Sequence, residues 1–201
     1  MRITALITGI VLMAATSANA VFVGFDTAGN NTLATADVLV SNTADWNDGS
    51  CALSADVGMA SLSAGDVDFY KLTIPSGCIL TAITTPLGVF PSSPDTVMGV
   101  WDSLGLANDN DDAGDDASWS TGPAGPTRGS AVRYSNDSGV AQMVWLSVSG
   151  YADFDFDGID DIFGGPHPES GSYLLTVSLT PEPATLGLLL GGLVFFARRR
   201  K

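Results

Sequence analysis

Two runs of aspartate carry the side chains of this sequence best suited to chemistry. In Asp153-Phe154-Asp155-Phe156-Asp157-Gly158-Ile159-Asp160-Asp161, carboxylates recur at alternate positions and then meet a glycine. This D-x-D-x-D-G spacing sets three hard oxygen ligands at positions 1, 3 and 5 of a calcium-binding loop. Gly158 stands at the sharp turn of position 6, Ile159 offers its backbone carbonyl, and Asp161 falls at position 9. Position 12 is Gly164, which has no carboxylate to close the coordination shell. The other run, Asp109-Asn110-Asp111-Asp112-Ala113-Gly114-Asp115-Asp116, has five carboxylates in eight residues. They repel one another unless a cation or water separates them. The candidate calcium ligands are therefore Asp153, Asp155, Asp157, Ile159 and Asp161 in one loop and Asp109, Asp111 and Asp112 in the other. The competing reading is an acidic, solvated loop in each place, with Phe154 and Phe156 dipping into a core.

Nothing else in the sequence assembles a catalytic set, and the protein is read as non-enzymatic. The single histidine, His167, lies between Pro166 and Pro168, as a structural or solvent-facing residue would. There is no G-x-S-x-G elbow, no C-x-x-C pair and no glycine-rich phosphate loop. Before Pro181 the only glutamate is Glu169.

The elements that must position the acidic runs are strands. From residue 57 the chain breaks into short segments rich in β-branched and aromatic residues, separated by Gly, Pro, Asn, Asp and Ser, with no long amphipathic helix. The pattern predicts an all-β fold, an antiparallel β-sandwich of jelly-roll-like form over 57–179. Strands are expected at Asp68 to Ile74, Ile79 to Thr84, Val97 to Trp101, Ala131 to Tyr134, Ala141 to Ser149 and Ser172 to Leu179. Side chains alternate between the faces of a strand. Tyr173, Leu175, Val177 and Leu179 should thus face the core, as should Val144, Leu146 and Val148. Met143 and Trp145 then point the other way, onto either a second small cluster or an exposed apolar patch. Residues 21–56 read as a polar, loosely structured lead-in with one short edge strand at Val38 to Val40.

Both ends look like addresses. Arg2, an apolar stretch from Ile7 to Ala15, and Ala18-Asn19-Ala20 make residues 1–20 a signal peptide, with Ala18 and Ala20 at the signal-peptidase site. Residues 180–201 contain Pro181-Glu182-Pro183, an apolar run from Ala184 to Ala197, and Arg198-Arg199-Arg200-Lys201. The run has fourteen residues, whereas a comfortable helical span needs about 20. The cations hold its end on the cytoplasmic side and leave the body outside. A hydrophobic helix held briefly in the membrane and then removed fits better than an ordinary tail anchor. The whole chain has a formal charge of −14. Between Val21 and Thr180, 21 acidic residues face only Lys71, Arg128 and Arg133, a net of −18. Such a surface excludes nucleic acid as a partner, because phosphate binding needs Lys and Arg. In an exported chain Cys51 and Cys78 form a candidate disulfide, worth about 3 kcal/mol on the chain-entropy account.

Three resemblances follow from these residues. Pro181-Glu182-Pro183, the apolar run and the cationic block resemble the PEP-CTERM sorting signal. That resemblance implies an exosortase-type protease as a partner, beside the signal peptidase expected at Ala18 and Ala20, and delivery to the cell surface or matrix. The 153–161 run is similar to the calcium loops of thrombospondin-type and dockerin-type repeats. Asp66-Val67-Asp68-Phe69-Tyr70-Lys71-Leu72, Pro75-Ser76-Gly77, Asp95-Thr96-Val97-Met98, Leu104 to Asp112 and Gly171 to Val177 resemble the bacterial pre-peptidase C-terminal domain. This is a secreted β-sandwich, some members of which bind calcium through acidic loops. The expected protein is an exported, non-catalytic, calcium-associated component of a bacterial envelope or polysaccharide-rich biofilm matrix. The alternative is a carbohydrate- or protein-binding module using Trp145, Tyr151 and Trp119.

Overall fold

The computed structural model describes residues 20–22, 26–40, 51, 54–88, 93–111 and 128–182, and none of these lies in a helix. They form ten strands: β1 (Ala20–Val21), β2 (Asp37–Val38), β3 (Ser54–Leu62), β4 (Asp68–Ile74), β5 (Cys78–Pro86), β6 (Thr96–Asp102), β7 (Gly105–Asn110), β8 (Ala131–Asn136), β9 (Gln142–Gly150) and β10 (Gly171–Pro181). One sheet has the order β1-β3-β10-β5-β8 and the other β2-β4-β9-β6-β7. Pairing is antiparallel except where the short β1 and β2 lie parallel to β3 and β4. The fold is all-β and sandwich-like, with the main core drawn from both sheets.

Alternation builds that core. Tyr173, Leu175, Val177 and Leu179 of β10 are buried and meet Leu80 and Ala82 of β5. Tyr70, Leu72 and Ile74 of β4 and Val144, Leu146 and Val148 of β9 close it from the second sheet. Each fully buried aliphatic side chain of this kind contributes roughly 1.5–3 kcal/mol. A smaller cluster occupies the opposite face of the second sheet, where Ala36, Val67, Phe69, Val97 and Phe156 are buried against Trp101, Trp145 and Phe154. Trp145 is thus committed to that cluster, and its indole Nε1 donates to Leu33 O at 3.1 Å. Met143 on the same strand is exposed.

The structure departs from the expected elements in four places. The lead-in is more than a loose tether, since Phe22, Ala36 and Leu39 are buried in the two clusters. The sandwich also has β3 starting at Ser54, ahead of residue 57, a strand not expected from its composition. Asp109 lies on β7 rather than in a loop, as polar residues can when an edge strand pairs on one side only. Finally, β10 runs past Leu179 to Pro181 because β5 extends back to Cys78 and pairs with it. Cys51 and Cys78 are joined by a disulfide, with Cα atoms 5.7 Å apart.

Candidate metal centre and sorting segment

The 153–161 run lies between β9 and β10 and is folded around a buried carboxylate. Asp153 is fully buried. Its Oδ2 accepts the Ser149 hydroxyl and the Gly158 N–H at 2.8 Å, and its Oδ1 accepts the Asp157 N–H at 3.1 Å. Two backbone donors from the turn therefore converge on the first carboxylate of the run, so the loop curls back over it. Gly158 has φ of +85°, and a Cβ there would lie 2.6 Å from Gly65 O. No larger residue fits this turn without displacing backbone. Asp161 Oδ2 accepts the Phe154 N–H at 2.8 Å and closes the loop from its far end.

This folding brings some of the expected ligands together. Asp153, Asp155 and Asp161 each offer an oxygen within 4.8 Å of the other two. Partial desolvation, then the neighbouring Asp157, Asp161 and Asp153 carboxylates, push the Asp155 carboxyl above its usual range. An all-oxygen set of this charge suits a hard cation such as Ca²⁺, so the donor chemistry fits. Asp157 is not one of these three carboxylates. Asp157 Oδ1 accepts the Ile159 N–H at 2.8 Å, and Ile159 makes a β-bridge with Pro166.

The two phenylalanines anchor the loop. Phe156, at φ of +60°, is buried edge-on to Trp101 with ring centroids 5.9 Å apart. It lies over Gly99, where a Cβ would come 2.8 Å from its ring. Phe154 is half-buried at the same cluster and edge-on to Tyr151. His167 is fully buried, with Nε2 2.8 Å from Asp66 O. A carbonyl can only accept, so Nε2 carries the proton and the ring is a packing element between the loop and the β3–β4 turn.

Of the other acidic run, only Asp109, Asn110 and Asp111 are among the described residues, and there they form no group of three carboxylates. Asp109 is exposed on β7 opposite Gly99, and the backbone carbonyl of Asp111 accepts the Ser130 hydroxyl. Asp112 lies outside the described residues, as do Ala18, Trp119, Pro183 and the apolar run 184–197. Ala20 opens β1.

A third acidic group joins Asp66 and Asp68 of the pre-peptidase-like stretch to Asp26 of the lead-in. Asp26, Asp66 and Asp68, with Asn30 and Ser61, line a cavity of about 180 Å³. Asp68 is buried on the core face of β4 and accepts the Tyr173 hydroxyl at 2.7 Å, which in turn lies 2.8 Å from the Tyr70 hydroxyl. Burial is the main cause that pushes its carboxyl up to about 8, and the Asp26 and Asp66 charges add to it against the Tyr173 hydrogen bond. The signal was present in the alternation. Asp68 shares its face with Tyr70, Leu72 and Ile74, so a carboxylate was due inside the core.

The end of β10 bears on destination. Thr180 and Pro181 pair with Ile79 and Cys78, and the Glu182 N–H donates to Gly77 O at 2.9 Å. The Glu182 carboxyl is pushed up, first by its hydrogen bond with Asp137. Residues 179–201 match the PEP-CTERM protein-sorting motif. PEP-CTERM is the sorting signal of exported proteins processed by an exosortase, a membrane protease-type enzyme. Its match begins at Leu179, so its opening residues belong to β10. Among the described residues no helix is long and apolar enough to cross a membrane. No curated protein matches the chain in sequence.

Proposed function

We propose that this is an exported, non-catalytic protein of the bacterial cell surface or extracellular matrix. An exosortase-type protease sorts it, and calcium in the 153–161 loop stabilises it. The observation that carries the reading is the PEP-CTERM match that continues directly from the last strand of a disulfide-linked β fold. The cationic block Arg198-Arg199-Arg200-Lys201 beyond the apolar run holds that end on the cytoplasmic side during sorting. The likeness of the body to pre-peptidase C-terminal sandwiches, and an association with exopolysaccharide, are parts of the same proposal. The all-β architecture is compatible with the first, and the sorting signal motivates the second. Replacing Pro181, Glu182 and Pro183 by alanine should leave the full-length protein uncleaved in the membrane, read by immunoblot of membrane and released fractions. Normal release of that variant would sink the reading.

The calcium part has its own test. Extracellular modules hold Ca²⁺ with dissociation constants of about 10⁻⁴–10⁻³ M. Adding ~10 mM calcium to EDTA-treated protein should therefore raise the melting temperature by about 3–8 °C. Indifference to both EDTA and calcium in calorimetry would reduce the loop to solvated acid.

A further inference from the structure

We infer that the fold withholds the PEP-CTERM segment from its processing enzyme until the last rungs of β10 open, and that the Cys51–Cys78 cross-link keeps those rungs closed. The inference rests on the sorting reading above and adds to it a control on access. Two of the three Pro-Glu-Pro residues are tied into a sheet. β10 is bonded on both sides as far as Leu179, which pairs with Ser54 of β3 and Leu80 of β5. Beyond that point Thr180 and Pro181 pair with β5 only, and Glu182 is held through the Gly77 carbonyl.

That carbonyl is itself held firmly. Gly77 N donates to Asn136 O at 2.9 Å, and the buried Asn136 side chain donates to Ile74 O and Val140 O at 2.8 Å each. Cys51 Sγ lies 3.6 Å from Gly77 O, and Cys78 is the rung partner of Pro181. The disulfide thus sits beside both groups that grip the motif. Backbone already bonded within a sheet cannot at the same time lie in a protease cleft, so cutting or gripping this stretch requires local opening. One-sided pairing confines that opening to the strand end and leaves the rest of the sandwich intact.

The test compares full-length proteins expressed with an exosortase-type enzyme, following conversion of the precursor by pulse-chase. Inserting Gly-Ser-Gly-Ser between Thr180 and Pro181 frees the motif while retaining β10 through Thr180. Conversion should then be about five- to tenfold faster, the factor expected from releasing one or two backbone hydrogen bonds. The Cys51→Ser/Cys78→Ser protein should also convert faster, with tryptophan fluorescence checking that its core remains folded. A wild-type rate in the insertion variant, while the triple-alanine variant stays uncleaved, would overturn the gate and leave the sorting signal standing. Normal conversion of the triple-alanine variant would remove both.

Discussion

Asp153→Ala is expected to destabilise the protein by about 3–5 kcal/mol, measured by urea unfolding. The carboxylate is fully buried and accepts three hydrogen bonds, from the Ser149 hydroxyl and the Asp157 and Gly158 N–H groups. Truncation leaves these donors unsatisfied in a site too enclosed for water to replace every bond. It also loosens the turn that seats Phe156 against Trp101, so part of the cost is lost packing. Asp155→Ala removes an exposed carboxylate of the same candidate centre. It should change calcium-free stability by less than about 1 kcal/mol while abolishing the calcium-dependent rise in melting temperature. The two variants therefore separate the structural role of the loop from its role as a ligand set. Equal, small effects of both would contradict the account of Asp153 as the carboxylate around which the loop folds.

Asp68→Asn is expected to flatten the pH dependence of stability between about pH 4 and 8. The folded-state pKa of Asp68 is raised from 3.8 to about 8, so folding favours its protonated form. A raised pKa contributes stability that is complete below the unfolded value and is lost as pH rises through the folded one. For a shift of this size the loss is on the order of 5 kcal/mol. Asparagine keeps an oxygen for the Tyr173 hydroxyl and does not titrate. The variant should thus gain on the wild type steadily from pH 4 to pH 8, in urea unfolding at each pH. Parallel curves for the two proteins would show that Asp68 has an ordinary pKa.

Much of the core could be read from alternation, because β9 and β10 have large apolar residues inward and polar ones outward. The same rule fails for β3. Its inward positions are Asp56, Gly58, Ala60 and Leu62, while Met59 is 66% exposed. Small residues at the interface and a large one in solvent invert the usual pattern, and only pairing with β10 makes this segment a strand. Strand β7 escaped for a different reason, since Gly-Leu-Ala-Asn-Asp-Asn has a turn composition and is held by backbone pairing at the sheet edge. In the acidic loop, spacing announced Asp153, Asp155 and Asp161 as neighbours. It gave no hint that Asp153 would be buried or that Asp157 would turn to its own backbone. Such details depend on Phe156 entering the second cluster, and that cluster is assembled by residues distant in sequence.

The position of β10 also has a temporal consequence. It lies between β3 and β5 and pairs with both, with Val177 opposite Asp56 on one side and Ala82 on the other. Those two strands cannot bond to each other in its place, so the first sheet stays split into two incomplete halves until residues 171–181 arrive. Such non-local pairing makes closure late and slow. During export from the N-terminal end, the sandwich can be completed only once the stretch beginning the sorting motif has also crossed. The moment at which the sandwich closes is thereby tied to the moment at which the start of its address reaches the far side.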